Sequence, residues 1–234
     1  MKFGVVIFPG SNCDQDVVHV CSQVLGAETV KLWHKDTDLQ GLTNEDCIII
    51  PGGFSYGDYL RCGAIAKQSP IMKSVAKHAA DGGIVWGICN GFQILCEAGL
   101  LPGALLMNDH QKFVCQNQYI KPQTLNSLIT RNLDLNKAYN VPIAHGEGRY
   151  FADEATLNEM TVNDQILFHY CDENGNINEQ SNPNGSTRNI AGICNKKRNV
   201  FGMMPHPERA SEKVLGNTDG LALFESLLLL QTAL

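Results

Sequence analysis

No stretch of the 234-residue chain approaches the roughly 20 consecutive apolar residues that a membrane span needs, so no membrane role is expected. Basic residues are in the minority. A net charge of -6 leaves no cationic footprint for nucleic acid or for an anionic membrane surface. No two of the nine cysteines stand in a Cys-x-x-Cys pair, and their number is odd. That argues against a zinc site and a disulfide framework, and suits small buried thiols in a reducing compartment. The histidines show no metal-ligand spacing, so no metal is expected. No secretory leader is expected. The apolar run Phe3 to Phe8 is too short, and Pro9-Gly10-Ser11-Asn12 is a poor cleavage region. The expected location is cytoplasmic. Repeats, low-complexity tracts and linkers are absent too, which points to residues 1–234 as a single domain.

What is present reads as alternating strands and helices. Phe3 to Phe8 forms a first strand. Ser11 or Asn12 is placed to cap a helix whose first turn carries Asp14 and Asp16, and Gly26 closes it. Strands follow at 29–33 and 47–50, the second ended by Pro51-Gly52-Gly53. Ser69-Pro70 opens another helix that stops at Gly82. The apolar run after Gly83 stops on Cys89, and a helix runs from Asn90 to about Ala98. This order predicts an α/β fold: a flavodoxin-like, open, mostly parallel twisted sheet with helices on both faces. After Pro102-Gly103 the pattern turns to strands at 104–108, 112–121, 139–145, 166–171, 189–194 and 199–204, the signature of additional antiparallel strands. Asp219 is placed to cap a last helix built on Leu221, Phe224 and Leu228.

The chemistry centres on Gly87-Ile88-Cys89-Asn90-Gly91. Glycines at minus two and plus two of a strand-ending cysteine give the cysteine counterpart of the Gly-x-Ser-x-Gly nucleophile elbow. The following helix points its amino end, with free N–H groups, at the sulfur and favours negative charge there. A nucleophile needs a base, and His206 in Met204-Pro205-His206-Pro207-Glu208 follows a predicted strand. If that stretch is extended, Glu208 points the same way as His206 and fixes its tautomer. The N–H of Asn90 is aimed as an oxyanion donor, and a second donor is expected from the loop Pro51-Gly52-Gly53. His145, between a strand and Gly146-Glu147-Gly148, fits a pocket wall and a plain turn equally well. His169, inside a strand, reads as structural. His19, His34, His78 and His110 form no evident constellation. Phe54, Tyr56, Tyr59 and Leu60 in loop 52–63 suit a contact region or a self-packed loop.

Together these motifs resemble the class I (triad) glutamine amidotransferases. Pro51-Gly52-Gly53-Phe54-Ser55-Tyr56-Gly57-Asp58-Tyr59-Leu60-Arg61, His145-Gly146-Glu147-Gly148, Asn182-Pro183-Asn184-Gly185-Ser186 and Gly202-Met203-Met204-Pro205-His206-Pro207-Glu208-Arg209 are similar to the branch that serves phosphoribosylformylglycinamidine synthesis. The resemblance implies hydrolysis of L-glutamine through a thioester on Cys89, with His206 as acid and base and Glu208 as its orienter. It implies oxyanion donors at Gly53 and Asn90, and substrate contacts from Gln93, Gly52 and His145. It also implies two protein partners: a large synthetase subunit, which would hold the ATP and Mg, and a small bridging subunit. No ATP-binding Gly-rich signature stands in this chain, and no cofactor is expected in it. A glutaminase serving GMP, carbamoyl-phosphate or anthranilate synthesis, and a non-catalytic binding subunit, are the alternatives.

Overall fold

The computed structural model describes residues 1–228. The chain forms two compact units: residues 1–101 with 199–202, and residues 102–198 with the segment from Met203 onward.

In the first unit, β1 (Phe3–Ile7), β2 (Thr29–Trp33), β3 (Cys47–Ile50) and β4 (Ile84–Ile88) are parallel, in the order β2-β1-β3-β4. β1, β3 and β4 are apolar and almost wholly buried, as strands covered on both faces must be. The order reverses between β1 and β3, the switch point at which open α/β sheets build their ligand crevices. A late strand, β11 (Val200–Met203), lies beside β4. Asn199 leads into it and ties it down: its backbone oxygen accepts from Val85 N–H at 2.8 Å, and its side-chain NH2 donates to the carbonyls of Ala79 and Gly83.

The first helix, α1 (Asp14–His19), continues as a π-helical turn over Val20–Val24. Its leading residue is Cys13, not Ser11 or Asn12. The Ser11 hydroxyl is occupied by the backbone N–H and carbonyl of Phe8 and so cannot cap. α2 (Pro70–Ala80) and α3 (Asn90–Glu97) run as expected.

The second unit is antiparallel, with β6 (Val114–Pro122) between β7 (Tyr139–His145) and β9 (Ile166–Cys171), and β10 (Ile190–Cys194) on β9. β5 (Ala104–Leu106) and β8 (Arg149–Phe151) make a separate antiparallel pair. The mostly parallel α/β core with extra antiparallel strands in the second half matches the expected fold class. Two elements were not expected, β8 and the helix α4 (Glu154–Val162). α4 has a side-chain cap, Asp153 accepting from Thr156 N–H, but only Leu157 and Met160 are buried along it, too few for a readable apolar stripe. The last helix, α5 (Leu221–Leu228), begins without Asp219 as its cap. That carboxylate is bonded instead to Lys137 and to the N–H of Asn140. No helix among the described residues is long and apolar enough to cross a membrane.

The tightest approach in the first unit is between α3 and the end of β3. A Cβ added at Gly91 would lie 1.9 Å from the Ile50 carbonyl oxygen, and one added at Gly87 2.6 Å from the Gly91 backbone. Gly91→Ala therefore has no rotamer to relieve it. It is expected to destabilise the chain by about 3 kcal/mol or more, read as a lowered urea midpoint at unchanged slope.

Candidate active site

Cys89 directly follows β4 and leads α3 with φ 50° and ψ −106°, a conformation that L-residues adopt only when their surroundings impose it. The close seat of α3 on β3 imposes it here. The side chain is buried, with 5% of its surface exposed. Burial pushes the Cys171 and Cys194 thiols up to about 11, which suits inert core residues. Most of the cysteines are buried, as expected for small hydrophobes.

Asn90, fully buried, follows at the first position of α3. Its side chain accepts from Ser55 N–H at 3.1 Å and donates to Asp58 Oδ1 at 3.1 Å and Gln93 Oε1 at 2.8 Å. The structure thus brings Asn90 and Gln93 together and adds Ser55 and Asp58, for which the sequence held no separate signal. Gly53 sits with φ 129° in the glycine loop. A Cβ there would come within 2.5 Å of Asn12 N and 2.8 Å of Ser11 Cα, so the loops after β1 and β3 touch at the switch point. Gly52 is buried beside it.

Loop 52–63 divides. Tyr56 turns inward, its hydroxyl 2.5 Å from His34 Nδ1 and 2.8 Å from Ser69 Oγ, a cluster the sequence did not suggest. Phe54, Tyr59 and Leu60 are exposed.

In the second unit, His206 and Glu208 are buried, and His206 Nδ1 lies 2.6 Å from Glu208 Oε1. A carboxylate only accepts, so Nδ1 carries the proton and the neutral ring keeps its lone pair on Nε2. The pairing is the expected one, but its route differs. Residues Pro207–Ala210 form a 3-10 turn led by His206, not an extended stretch. Pro207 can enter that turn because its fixed φ suits the first helical position and its missing N–H is not needed there. Arg209 N–H bonds back to the His206 carbonyl at 3.1 Å, and His206 N–H is held by the Pro142 carbonyl at 2.8 Å.

His145 ends β7, buried. Its Nδ1 is 3.2 Å from Asn108 Oδ1, which also accepts from Gly148 N–H at 3.0 Å, while Asn108 Nδ2 donates to the His145 carbonyl. Asn184 Nδ2 donates to the Gly148 carbonyl at 2.9 Å, so the 145–148 and 182–186 motifs are one bonded assembly. Asn108 was missed because a single buried amide leaves no pattern in a sequence. His169 Nδ1 is 2.8 Å from the Arg188 carbonyl, in line with its structural reading.

Comparison with known proteins fits this arrangement. The model of the CobB/CobQ-like glutamine amidotransferase domain matches residues 1–221. The chain belongs to this family of glutamine amidotransferases. It is therefore an enzyme that draws nitrogen from glutamine. It is 57% identical over 228 residues to phosphoribosylformylglycinamidine synthase subunit PurQ of a Nostoc species, covering 97% of each chain. The subunit of the same name in Methanosarcina barkeri is 52% identical over 227 residues, again with 97% of each chain covered. A chain in the structure of PurLQS from Thermotoga maritima superposes with a TM-score of 0.84 at 40% identity, covering 98% of both. A putative GMP synthase subunit from Thermoplasma acidophilum, 16% identical with a TM-score of 0.62 and 97% and 92% covered, shares the fold.

Burial, and then the nearby charge of His206, lower the His145 pKa from 6.5 to about 4. The unfolded chain thus binds a proton at a pH where the folded chain does not. The stabilisation is complete above about pH 6.5 and is lost as pH falls toward 4, a change of about 2–3 kcal/mol. His145→Asn keeps a donor for Asn108 but cannot titrate. It should show a smaller loss of stability than the parent between pH 7 and 4.5, read by urea unfolding at both values.

Proposed function

We propose that the chain is the glutaminase subunit of phosphoribosylformylglycinamidine synthase and that Cys89, His206 and Glu208 are its catalytic residues. The observation that carries this reading is the elbow. It holds one cysteine of nine in a strained backbone conformation at the head of a helix, with a fully buried amide beside it.

Cys89 Sγ attacks the side-chain amide carbon of L-glutamine, and its proton passes to His206 Nε2. The N–H groups of Gly53 and Asn90 receive the oxyanion, where preorganised donors contribute most. His206 returns the proton to the leaving nitrogen, ammonia departs, and a glutamyl thioester is left on Cys89. Water then gives a proton to His206 and attacks the thioester carbon. Glutamate leaves, and the proton returns to the sulfur. Glu208 holds the Nδ1 proton throughout and stabilises the imidazolium that forms twice in the cycle. Gln93, with Gly52 and His145, contacts the substrate.

The ammonia is consumed by a large synthetase subunit of the PurL type, which holds ATP and Mg and converts formylglycinamide ribonucleotide to formylglycinamidine ribonucleotide. A small bridging subunit of the PurS type completes the complex, in the cytoplasm. The exposed Phe54, Tyr59 and Leu60 are placed for contact with a partner. The name PurLQS of the Thermotoga assembly and the names of the relatives support this set of partners.

In the assembled complex, Cys89→Ala should lower glutamine-dependent synthesis by about four orders of magnitude or more while added ammonia still supports it. Equal loss of both would assign Cys89 a structural role instead. His206→Ala should slow glutamine hydrolysis by several orders of magnitude. A rate near that of the parent would remove His206 from the mechanism.

A further inference from the structure

The segment that follows Gly53 is held in a form that it would not adopt alone. Tyr56, Asp58 and Leu60 all have left-handed backbones, with φ of 57°, 52° and 72°. Left-handed L-residues cost about 1–2 kcal/mol each, and such strain persists only where other contacts over-determine it. On one side the contacts are backbone ones, with Phe54 N–H on the Gly10 carbonyl and Tyr56 N–H on the Pro9 carbonyl. Side chains add to these: the Tyr56 hydroxyl on His34 and Ser69, Arg61 on Glu97 of α3, and, at the head of that helix, Asn90. Its oxygen takes the Ser55 N–H, and its NH2 group spends one hydrogen on Asp58 and the other on Gln93. Reversing the amide would set an N–H against the Ser55 N–H and an oxygen against the Asp58 carboxylate, so the orientation is forced.

We infer that the Asn90 side chain, acting with Asp58, is a positioning device that locks the Gly53 loop onto the nucleophile helix and so sets the distance between the two oxyanion donors. The inference rests on the proposed roles of Gly53 and Asn90 as those donors. Its content is that position 90 acts twice: the backbone N–H faces the reacting oxygen, and the side chain clamps the loop bearing the other donor. The clamp also bonds Gln93, so one amide joins the loop to the proposed substrate contact. Neither Asn90 nor Asp58 needs to touch substrate through its side chain. A donor displaced by about 1 Å loses on the order of a hundredfold in rate, so a loosened clamp should act on the chemical step.

The test compares Asn90→Leu, Asn90→Asp and the exchange Asn90→Asp with Asp58→Asn in the assembled complex. Asn90→Leu keeps size and backbone N–H but breaks all three contacts. Asn90→Asp keeps the Ser55 contact and sets two carboxylates face to face. The double variant restores a donor and an acceptor in reversed order, with Gln93 able to turn its own amide.

Both single variants should lower kcat for glutamine hydrolysis about 10–100-fold, by at least about tenfold more than they raise KM. Ammonia-dependent synthesis should be retained. Alkylation of Cys89 by iodoacetamide, followed by mass spectrometry, requires the sulfur but no oxyanion donor and should stay within about threefold of the parent. The double variant should recover at least about fivefold of what Asn90→Asp loses. A loss of kcat under about threefold in Asn90→Leu overturns the inference, as does a double variant no better than Asn90→Asp. Alkylation that falls in step with kcat also overturns it, because the elbow itself would then have collapsed. Glutamine hydrolysis that survives Cys89→Ala overturns the underlying reading as well, which separates the two failures.

Discussion

Helix α3 rests on the end of β3 at a distance that leaves no room for a side chain at Gly91. That approach fixes where the helix starts, and so the backbone of the residue that joins it to β4. A cysteine at φ 50° is disfavoured, and the packing around it supplies the energy that holds it there. The parallel strands contribute in turn. β3 and β4 pair in register from Cys47 with Ile84 to Ile50 with Gly87, so the last pair sits directly beneath the elbow. A one-residue slip would move Gly91 off the Ile50 carbonyl and present its neighbours to it.

The second unit solves a different problem, that of enclosing a histidine and a carboxylate together. His206 and Glu208 are both almost fully enclosed, and a charge there without a partner would be costly. Their short hydrogen bond gives each buried group a partner. His145 illustrates the opposite case. It is buried beside an amide, with no carboxylate bonded to its ring, and stays neutral down to about pH 4. Two of the buried imidazoles thus differ through their neighbours, a carboxylate for His206 and an amide for His145.

Much of this was legible in the residues. The Gly-x-Cys-x-Gly spacing located the elbow, the alternation of strand and helix located the parallel sheet, and His206 with Glu208 could be paired from spacing. The pairing geometry could not. Pro207 is compatible with both an extended chain and the start of a 3-10 turn, and the choice is made by contacts from Pro142 and Gly220 that are distant in sequence. Asp219 looked like a helix cap because caps are local, but a partner 82 residues away, Lys137, claims it. α4 was invisible because a helix with few buried residues has no apolar period. Asn90 was read for its backbone alone, since nothing in a sequence shows that a side-chain amide will meet Ser55, Asp58 and Gln93 at once.

The strand that completes the first unit is made last. β11 lies beside β4, and Asn199 bridges to Ala79 and Gly83 across 120 and 116 positions of chain. During synthesis from the amino end, β1 to β4 and the elbow emerge well before this strand. For about half the time of translation the strand that leads to Cys89 has one open edge, with its N–H and carbonyl groups unpaired. That edge of β4 is therefore covered only after most of the second unit has been made. The order of synthesis closes this edge only as the segment that carries His206 and Glu208 is also being made.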